Sequence, residues 1–457
     1  MTAVEGALPT GAKKAFYTQL KADLAAEQTA FGSPAPNRTA IAWAHDKYSD
    51  ANAMVTHGAD QMSKFDLRYY APGCFSEVTI DVATLHDLSG MYNAFLTYTG
   101  LTVNHTLLST GQLDAETDNI AAGTVTYDAV EMLRYMATPD VLAQGNVVSA
   151  MTPVSALQPV MAAVYSDKFG NMDMDPLVLA YRPSMYANSI YATEFATFEG
   201  GSGQVWQPPA TLTALWQQHR YLISKGRNGL PLKIAASEWE TEFYVAIAAN
   251  YVPNDSTVLQ TSSQAAYIDA ANDILMYYGA SAFDPDPANT NWGAVNASDD
   301  FSIWWLDRGK FGDGTDWQFM ELPPKDSSTA KKTYTSFDGW GIGSFAKAGQ
   351  TDAQKAAANA FVAHMASKSG IDTDHVSTRM FQTPLTHQMS VANTVAETSE
   401  SSEFIASFFD VLNTVGAKTD PLRLPLGHND WVTRGSTLAA QLQSFPTSGT
   451  LDLSVLP

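Results

Sequence analysis

Residues 338–343 read Asp-Gly-Trp-Gly-Ile-Gly, an indole framed by glycines. An indole offers a flat apolar face for stacking, and glycines let a backbone come close to another surface. A second concentration lies at Ser237-Glu238-Trp239-Glu240. There an ionised carboxylate beside an indole would accept strong hydrogen bonds from hydroxyl groups. Tyr186 and Asn188 add a phenol and an amide within an aromatic run. Asp128 follows an apparent strand, and open α/β sheets bind ligands at the carboxyl ends of their strands. These groups suit non-covalent capture of a small molecule rather than bond-breaking. The candidates are Trp340, Trp239, Glu238, Asp128, Tyr186, Asn188 and Asp338. Each has a structural competitor. Trp340 could fill a lobe interface, Glu238 could sit at a helix start where acids favour the dipole, Asp128 could cap a helix, and Tyr186 and Asn188 could pack a loop. Trp304 and Trp305 point to opposite faces of a strand, so one enters a core.

Other chemistries lack their residues. No nucleophile elbow, zinc-protease helix, phosphate loop or dinucleotide fingerprint is present in its required context. The histidines are scattered, as in His86 and His105 or His364 and His375, with no metal-ligand spacing. Asp284-Pro285-Asp286 and Asp313-Gly314-Thr315-Asp316 are acidic turns that do not match a calcium loop. The single cysteine, Cys74, excludes an internal disulfide framework and a multi-cysteine metal site. Twenty-six Lys and Arg against 47 Asp and Glu give a net charge of −21. Phosphate binding needs clustered cations, so nucleic acid is a poor partner, as is an anionic membrane surface. No apolar run approaches the roughly 18 residues of a membrane span, and the N-terminus lacks the long apolar core of a signal peptide.

The 457 residues, 45% of them hydrophobic, suffice for a large two-lobed unit. Residues 1–75 read as an appended segment, available to a protein partner. From Glu77 the pattern is strand, helix, strand: Val78, Ile80 and Val82 alternate, Leu88 to Leu96 repeat at helical spacing, Gly100 ends the helix, and Leu101 to Leu107 alternate again. A crossover of that length implies parallel strands. Tyr127 to Val130 reads as a third strand, and Pro176 to Tyr191 as a crossing between lobes. Helices are expected over about Leu212 to Ser224, Glu238 to Asn250, Gln264 to Tyr278 and Glu403 to Val415, with a strand at Phe301 to Leu306. Thr351 and Gln354 form a capping box for a helix whose buried stripe is Phe361, Val362 and Met365.

In this order the pieces resemble the extracellular solute-binding proteins of ABC importers, in the class that includes maltodextrin-binding members. The likeness rests on the opening strand-helix-strand with Tyr98-Thr99-Gly100, on Tyr127 to Val130, and on Tyr186-Ala187-Asn188. It continues through Trp206-Gln207-Pro208-Pro209-Ala210-Thr211-Leu212, Phe337 to Ile342 with the helix after it, and Thr383-Pro384. The resemblance implies a type II periplasmic-binding-protein-like fold: two α/β lobes closing on a ligand, with no enzyme activity and no cofactor. On that reading residues 76–185 with about 296–340 form the first lobe, and residues 186–295 with about 341–457 the second. The ligand would be a sugar or polyol stacked on Trp340, and the partner an ABC permease. The protein would be periplasmic or extracellular once a signal peptide is removed. A structural or assembly subunit built on the same fold is the alternative, with residues 1–75 as interface material.

Overall fold

The computed structural model describes residues 73–148, 157–162, 165–198, 205–235, 238–252, 261–285, 299–306, 311, 316–327, 339–367, 400–418 and 428–455. The appended segment up to residue 72, Asp338 and Thr383-Pro384 lie outside them.

The chain opens with β1 (Thr79–Thr84), α1 (Ser89–Thr99), β2 (Thr102–Leu107), α2 (Thr110–Ala121), β3 (Ala129–Leu133) and α3 (Pro139–Gln144). β1 runs parallel to both β2 and β3. Gly100 ends α1 in a left-handed conformation, φ 72°, and its N–H donates to the Leu96 carbonyl. β4 (Phe169–Asn171) then lies at the far edge of this sheet.

Three residues after Met174 the chain starts β5 (Leu177–Tyr181), followed by α4 (Ser189–Phe195), α5 (Leu212–Ser224), α6 (Glu238–Ala249) and α7 (Gln264–Tyr278). β6 (Phe301–Trp305) and β7 (Gln318–Glu321) come next. Both pair antiparallel with β5, giving a second sheet in the order β6-β5-β7. β8 (Trp340–Ser344) and α8 (Asp352–Met365) return to the first sheet, whose order is β2-β1-β3-β8-β4 with β8 antiparallel to both neighbours. α9 (Ser402–Gly416) packs on β7, and α10 (His428–Ser448) on α6.

The strands divide the chain differently from the expected lobe boundaries. Leu177 to Tyr181 had read as a crossing, yet it is the central strand of the second sheet. It therefore draws β6 and β7, within 296–340, away from the first lobe. β8, which runs past residue 341, and α8 belong with the first. The crossing itself shortens to about residues 172–176.

β1 and β3 contribute buried residues to both hydrophobic clusters, whereas β2, at the sheet edge, is largely exposed. On one face Ile80, Val82 and Ile342 meet Met91, Phe95, Phe361 and Met365 from α1 and α8. Burying each such side chain contributes roughly 1.5–3 kcal/mol. Thr351 and Gln354 form the expected capping box, Gln354 N donating to Thr351 Oγ1 at 3.2 Å and Thr351 N to Gln354 Oε1 at 3.0 Å. Phe361, Val362 and Met365 are fully buried. His364, a lone histidine, stacks on Phe95 at 4.6 Å within this core.

Candidate functional site

Parallel β1 and β3 end at one edge of the first sheet, and antiparallel β8 begins there, with Trp340 paired to Leu133. That register delivers Trp340 to the carboxyl edge, where the β1–α1 turn and the end of β3 also arrive. The indole is half-buried and packs against the core of each hydrophobic cluster. Its backbone N–H donates to Asp173 Oδ1, and its carbonyl accepts from Met172 N at 2.9 Å.

The framing glycines serve the protein itself. Gly339 has φ +81°, and a Cβ there would meet the Asp173 carbonyl oxygen at 2.4 Å. A Cβ on Gly341 would meet the Phe169 ring at 2.4 Å and the Gly170 oxygen at 2.5 Å. The close approach expected of these glycines is therefore made by β4 and the crossing segment.

Beside Trp340 stands His86, its ring edge-on to the indole with centroids 4.7 Å apart. Glu131, fully buried in β3, holds that turn. Glu131 Oε2 accepts from the N–H groups of Leu85 at 2.8 Å and His86 at 3.1 Å, while Oε1 pairs with His86 Nδ1 at 2.8 Å. The hydroxyl of Thr84 donates to the His86 carbonyl at 2.5 Å. Thr84 Oγ1 can then only accept from His105 Nε2, at 2.6 Å. That assigns the proton of His105 to Nε2 and leaves Nδ1 to accept from the Tyr92 hydroxyl at 3.3 Å. Two histidines and an acid are thus locked around the rim, with the exposed part of His86 beside the indole.

Asp173 and Asp175 lie on one short crossing, so the same segment reaches the second lobe. Glu242, in the second turn of α6, is fully buried there. Burial raises its carboxyl well above the usual range, and the charge of Asp175 raises it further. Trp305, half-buried at the end of β6 and paired with Leu177, packs on Phe243 at 5.0 Å. Trp304 is the partner that enters the core.

The structure separates the other candidates from this place. Asp128 precedes β3 and so sits at the amino edge, correcting the expected carboxyl end. It is buried, accepts from Asp81 N at 2.7 Å and Gln350 Nε2 at 2.8 Å, and ties β1 to the β8–α8 turn. Tyr186 and Asn188 follow Tyr181, at the opposite end of β5 from Leu177 and the crossing. The Tyr186 hydroxyl donates to Gln218 Oε1 at 2.9 Å, its ring packs on Trp206 at 5.3 Å, and burial raises its phenol. Asn188 Oδ1 caps α4, accepting from Ile190 N at 3.0 Å and Tyr191 N at 3.3 Å. Glu238 and Trp239 open α6 by their backbone, with side chains outside the described residues; Asp338 lies outside altogether.

His86 and Glu131 were not candidates from sequence. The signal was available: an acid in the middle of the apolar strand Ala129-Val130-Glu131-Met132-Leu133 requires a buried partner. Among the described residues, no group of three His, Cys, Asp or Glu side chains is arranged to hold a metal ion, and no helix is long and apolar enough to cross a membrane.

No protein-family model matches the chain, and no curated protein matches it by sequence. Solved structures do match in fold. An ABC transporter solute-binding protein from Agrobacterium radiobacter, in complex with ribitol, superposes with TM-score 0.57 at 14% identity, covering 84% of this chain and 97% of that one. Maltose-bound MalE3 of T. maritima matches with TM-score 0.56 at 13% identity, over 83% of this chain and 97% of its own. The maltotriose-bound MalE domain of Bdellovibrio bacteriovorus matches with TM-score 0.53 at 14% identity, over 83% and 96%. The chain therefore has the two-lobed α/β fold of these binding proteins.

Proposed function

We propose that this chain is a non-enzymatic solute-binding protein that captures a neutral polyhydroxy molecule, a sugar or sugar alcohol, between its lobes and presents it to an ABC-type permease outside the cytoplasmic membrane. The observation that carries the reading is Trp340. It is a half-buried indole at the carboxyl edge of the first sheet, anchored to the crossing and flanked by a histidine that a buried carboxylate orients. The ribitol-, maltose- and maltotriose-bound neighbours support the ligand class.

A pyranose or extended polyol offers C–H groups to an indole face and hydroxyls at its rim. Trp340 supplies the face from one lobe, and the imidazole of His86 supplies a hydrogen-bonding edge. Trp305 and the start of α6 supply the facing wall from the other lobe. A ligand touching both lobes favours their closed arrangement, and the short crossing is the hinge. The protein forms no bond to its cargo, so release requires only reopening.

The test is thermal unfolding against ribitol, mannitol, maltose and maltotriose. At a hundredfold excess over the dissociation constant, binding stabilises by about 2.7 kcal/mol, and Tm rises accordingly. Trp340→Ala should abolish the rise. No shift with any of the four, or a shift that survives in Trp340→Ala, removes the reading.

A further inference from the structure

β2 forms one edge of the first sheet, and among the described residues β1 is its only strand neighbour. Thr102 N donates to the Val78 carbonyl at 3.0 Å and Leu108 N to the Thr84 carbonyl at 2.8 Å, both on the β1 side. Alternate residues of a parallel strand bond to one neighbour, so the N–H and C=O groups of Val103, His105 and Leu107 point away from β1. The side chains of Thr102, Asn104, Thr106 and Leu107 are exposed, Leu107 to 57%. Parallel strands are normally covered on both faces, and a bare edge of this kind is a template for a further strand.

The chain enters the described structure at this same edge. Gly73 N donates to the Tyr98 carbonyl and Phe75 N to the Thr99 carbonyl, both at 2.8 Å, where α1 ends just before β2 begins. Gly100 lets that entry turn lie close, because a Cβ there would stand 2.6 Å from Ser76 Oγ. The 72 residues before Gly73 therefore depart beside the start of β2. At that point Phe75, Val78, Leu96, Tyr98 and Val103, all partly buried, fringe the core between the sheet, α1 and α8. Immediately upstream the sequence reads Phe65-Asp66-Leu67-Arg68-Tyr69-Tyr70-Ala71-Pro72. Phe65, Leu67 and Tyr69 alternate with Asp66, Arg68 and Tyr70, the pattern of a strand with one apolar face. Pro72 favours an extended Ala71.

We propose that residues 65–70 add to β2 as an antiparallel sixth strand of the first sheet, so that the bare edge is the docking surface of the chain's own appended segment. The direction follows from the entry point: a strand beside β2 must run towards Thr102 to reach Gly73. Tyr69 then falls opposite Val103, Leu67 opposite His105 and Phe65 opposite Leu107. This register sets the three apolar side chains on the α1 face, beside Val103, and covers Leu107. A slip by one residue would turn them to the other face, where Asp66 and Arg68 belong with Thr106 and Asn104. Arg68 falls opposite Asn104, whose partner in β1 is Asp81, so a cation comes to the acidic side of the sheet. An antiparallel edge strand on a parallel sheet is a common arrangement. The pairing needs no ligand and no lobe closure.

Hydrogen exchange of the full chain, read amide by amide by mass spectrometry, is the first test. The outward amides of Val103, His105 and Leu107 should exchange on the order of 100-fold more slowly than in an unstructured chain. Leu67→Pro removes a donor and the strand geometry, and should release those three amides. Thr102 and Leu108, bonded to β1, should stay protected in parent and variant alike, which reports an intact sheet. The second test is oxidation of Phe65→Cys with Leu107→Cys in a Cys74→Ser background. Directly opposite residues lie within disulfide reach, so a bond within one chain is expected. Asp66→Cys with Leu107→Cys, aimed at the other face, should oxidise far more slowly. Free exchange at 103, 105 and 107 in the parent, protection unchanged in Leu67→Pro, equal oxidation of the two pairs, or a disulfide between chains overturns the proposal.

Discussion

Removing the carboxylate of Glu131 should loosen the whole rim of the candidate cleft. Glu131 accepts three hydrogen bonds, from Leu85 N at 2.8 Å, His86 N at 3.1 Å and His86 Nδ1 at 2.8 Å, and is itself fully buried. In Glu131→Ala two backbone donors and an imidazole lose their acceptor, and breaking a buried charged network of this kind costs about 3–5 kcal/mol. Glu131→Gln keeps an oxygen for the two backbone N–H groups. Its amide N–H can donate to Nδ1 once His86 moves its proton to Nε2. Only charge assistance is then lost, about 1–2 kcal/mol. Urea unfolding of the two variants, read at unchanged slope, measures the difference. Sugar binding should follow the same ranking, because His86 stands against Trp340. A Glu131→Ala cost under about 1 kcal/mol, or equal costs in the two variants, would refute the reasoning that this carboxylate organises the turn.

Gly339→Ala must place a Cβ against the Asp173 carbonyl at φ +81°, so a loss of about 2–4 kcal/mol is expected, with Trp340 displaced and sugar binding reduced; urea midpoints and the thermal-shift panel check both. His219 is buried and lowered to about 4, while the unfolded chain titrates near 6.5. The unfolded state takes the proton first as pH falls, so stability present above pH 6.5 is lost towards pH 4, on the order of 3 kcal/mol. His219→Gln should lack that share, and parallel pH profiles for parent and variant would contradict it. Asn188→Ala should cost about 1 kcal/mol, the worth of a helix cap, with sugar affinity untouched; a fall in affinity would return Asn188 to the ligand site. Light scattering should give a monomer near 49.3 kDa, whereas a stable assembly would favour a structural subunit on this fold.

The local parts of the fold were legible because their signals are local. Gln264–Tyr278 and Leu212–Ser224 match the periodicity reading, Gly100 ends its helix by left-handed geometry, and Thr351 and Gln354 cap theirs. The parallel opening followed from a crossover too long for a hairpin. What remained hidden was pairing at a distance. Nothing in Leu177 to Tyr181 says that its partners lie at Phe301 and Gln318, so a central strand looked like a connector. Asp128 was misplaced by the bounds of one strand: β3 begins at Ala129 rather than ending near Asp128, which exchanges one edge of the sheet for the other. His86 and Glu131 are 45 residues apart, and neither neighbourhood announces the other.

The two readings of Trp340, core filler and ligand platform, had stood as rivals. The structure shows the packing role and leaves part of the ring accessible for the platform role proposed above. Gly339 and Gly341 give up their side chains so that the crossing and β4 can press against the strand, and that pressure fixes the backbone on both sides of the indole. One part of the ring then packs on both hydrophobic clusters, and the remainder stays accessible beside His86. A platform held by packing loses little side-chain entropy when a ligand arrives, because its rotamer is already chosen. The stability supplied by Trp340 and the affinity proposed for it thus have a common physical source, which is why truncating the indole should lower both together, while Tyr186 and Asn188, engaged in internal bonds at the far end of β5, should affect stability alone.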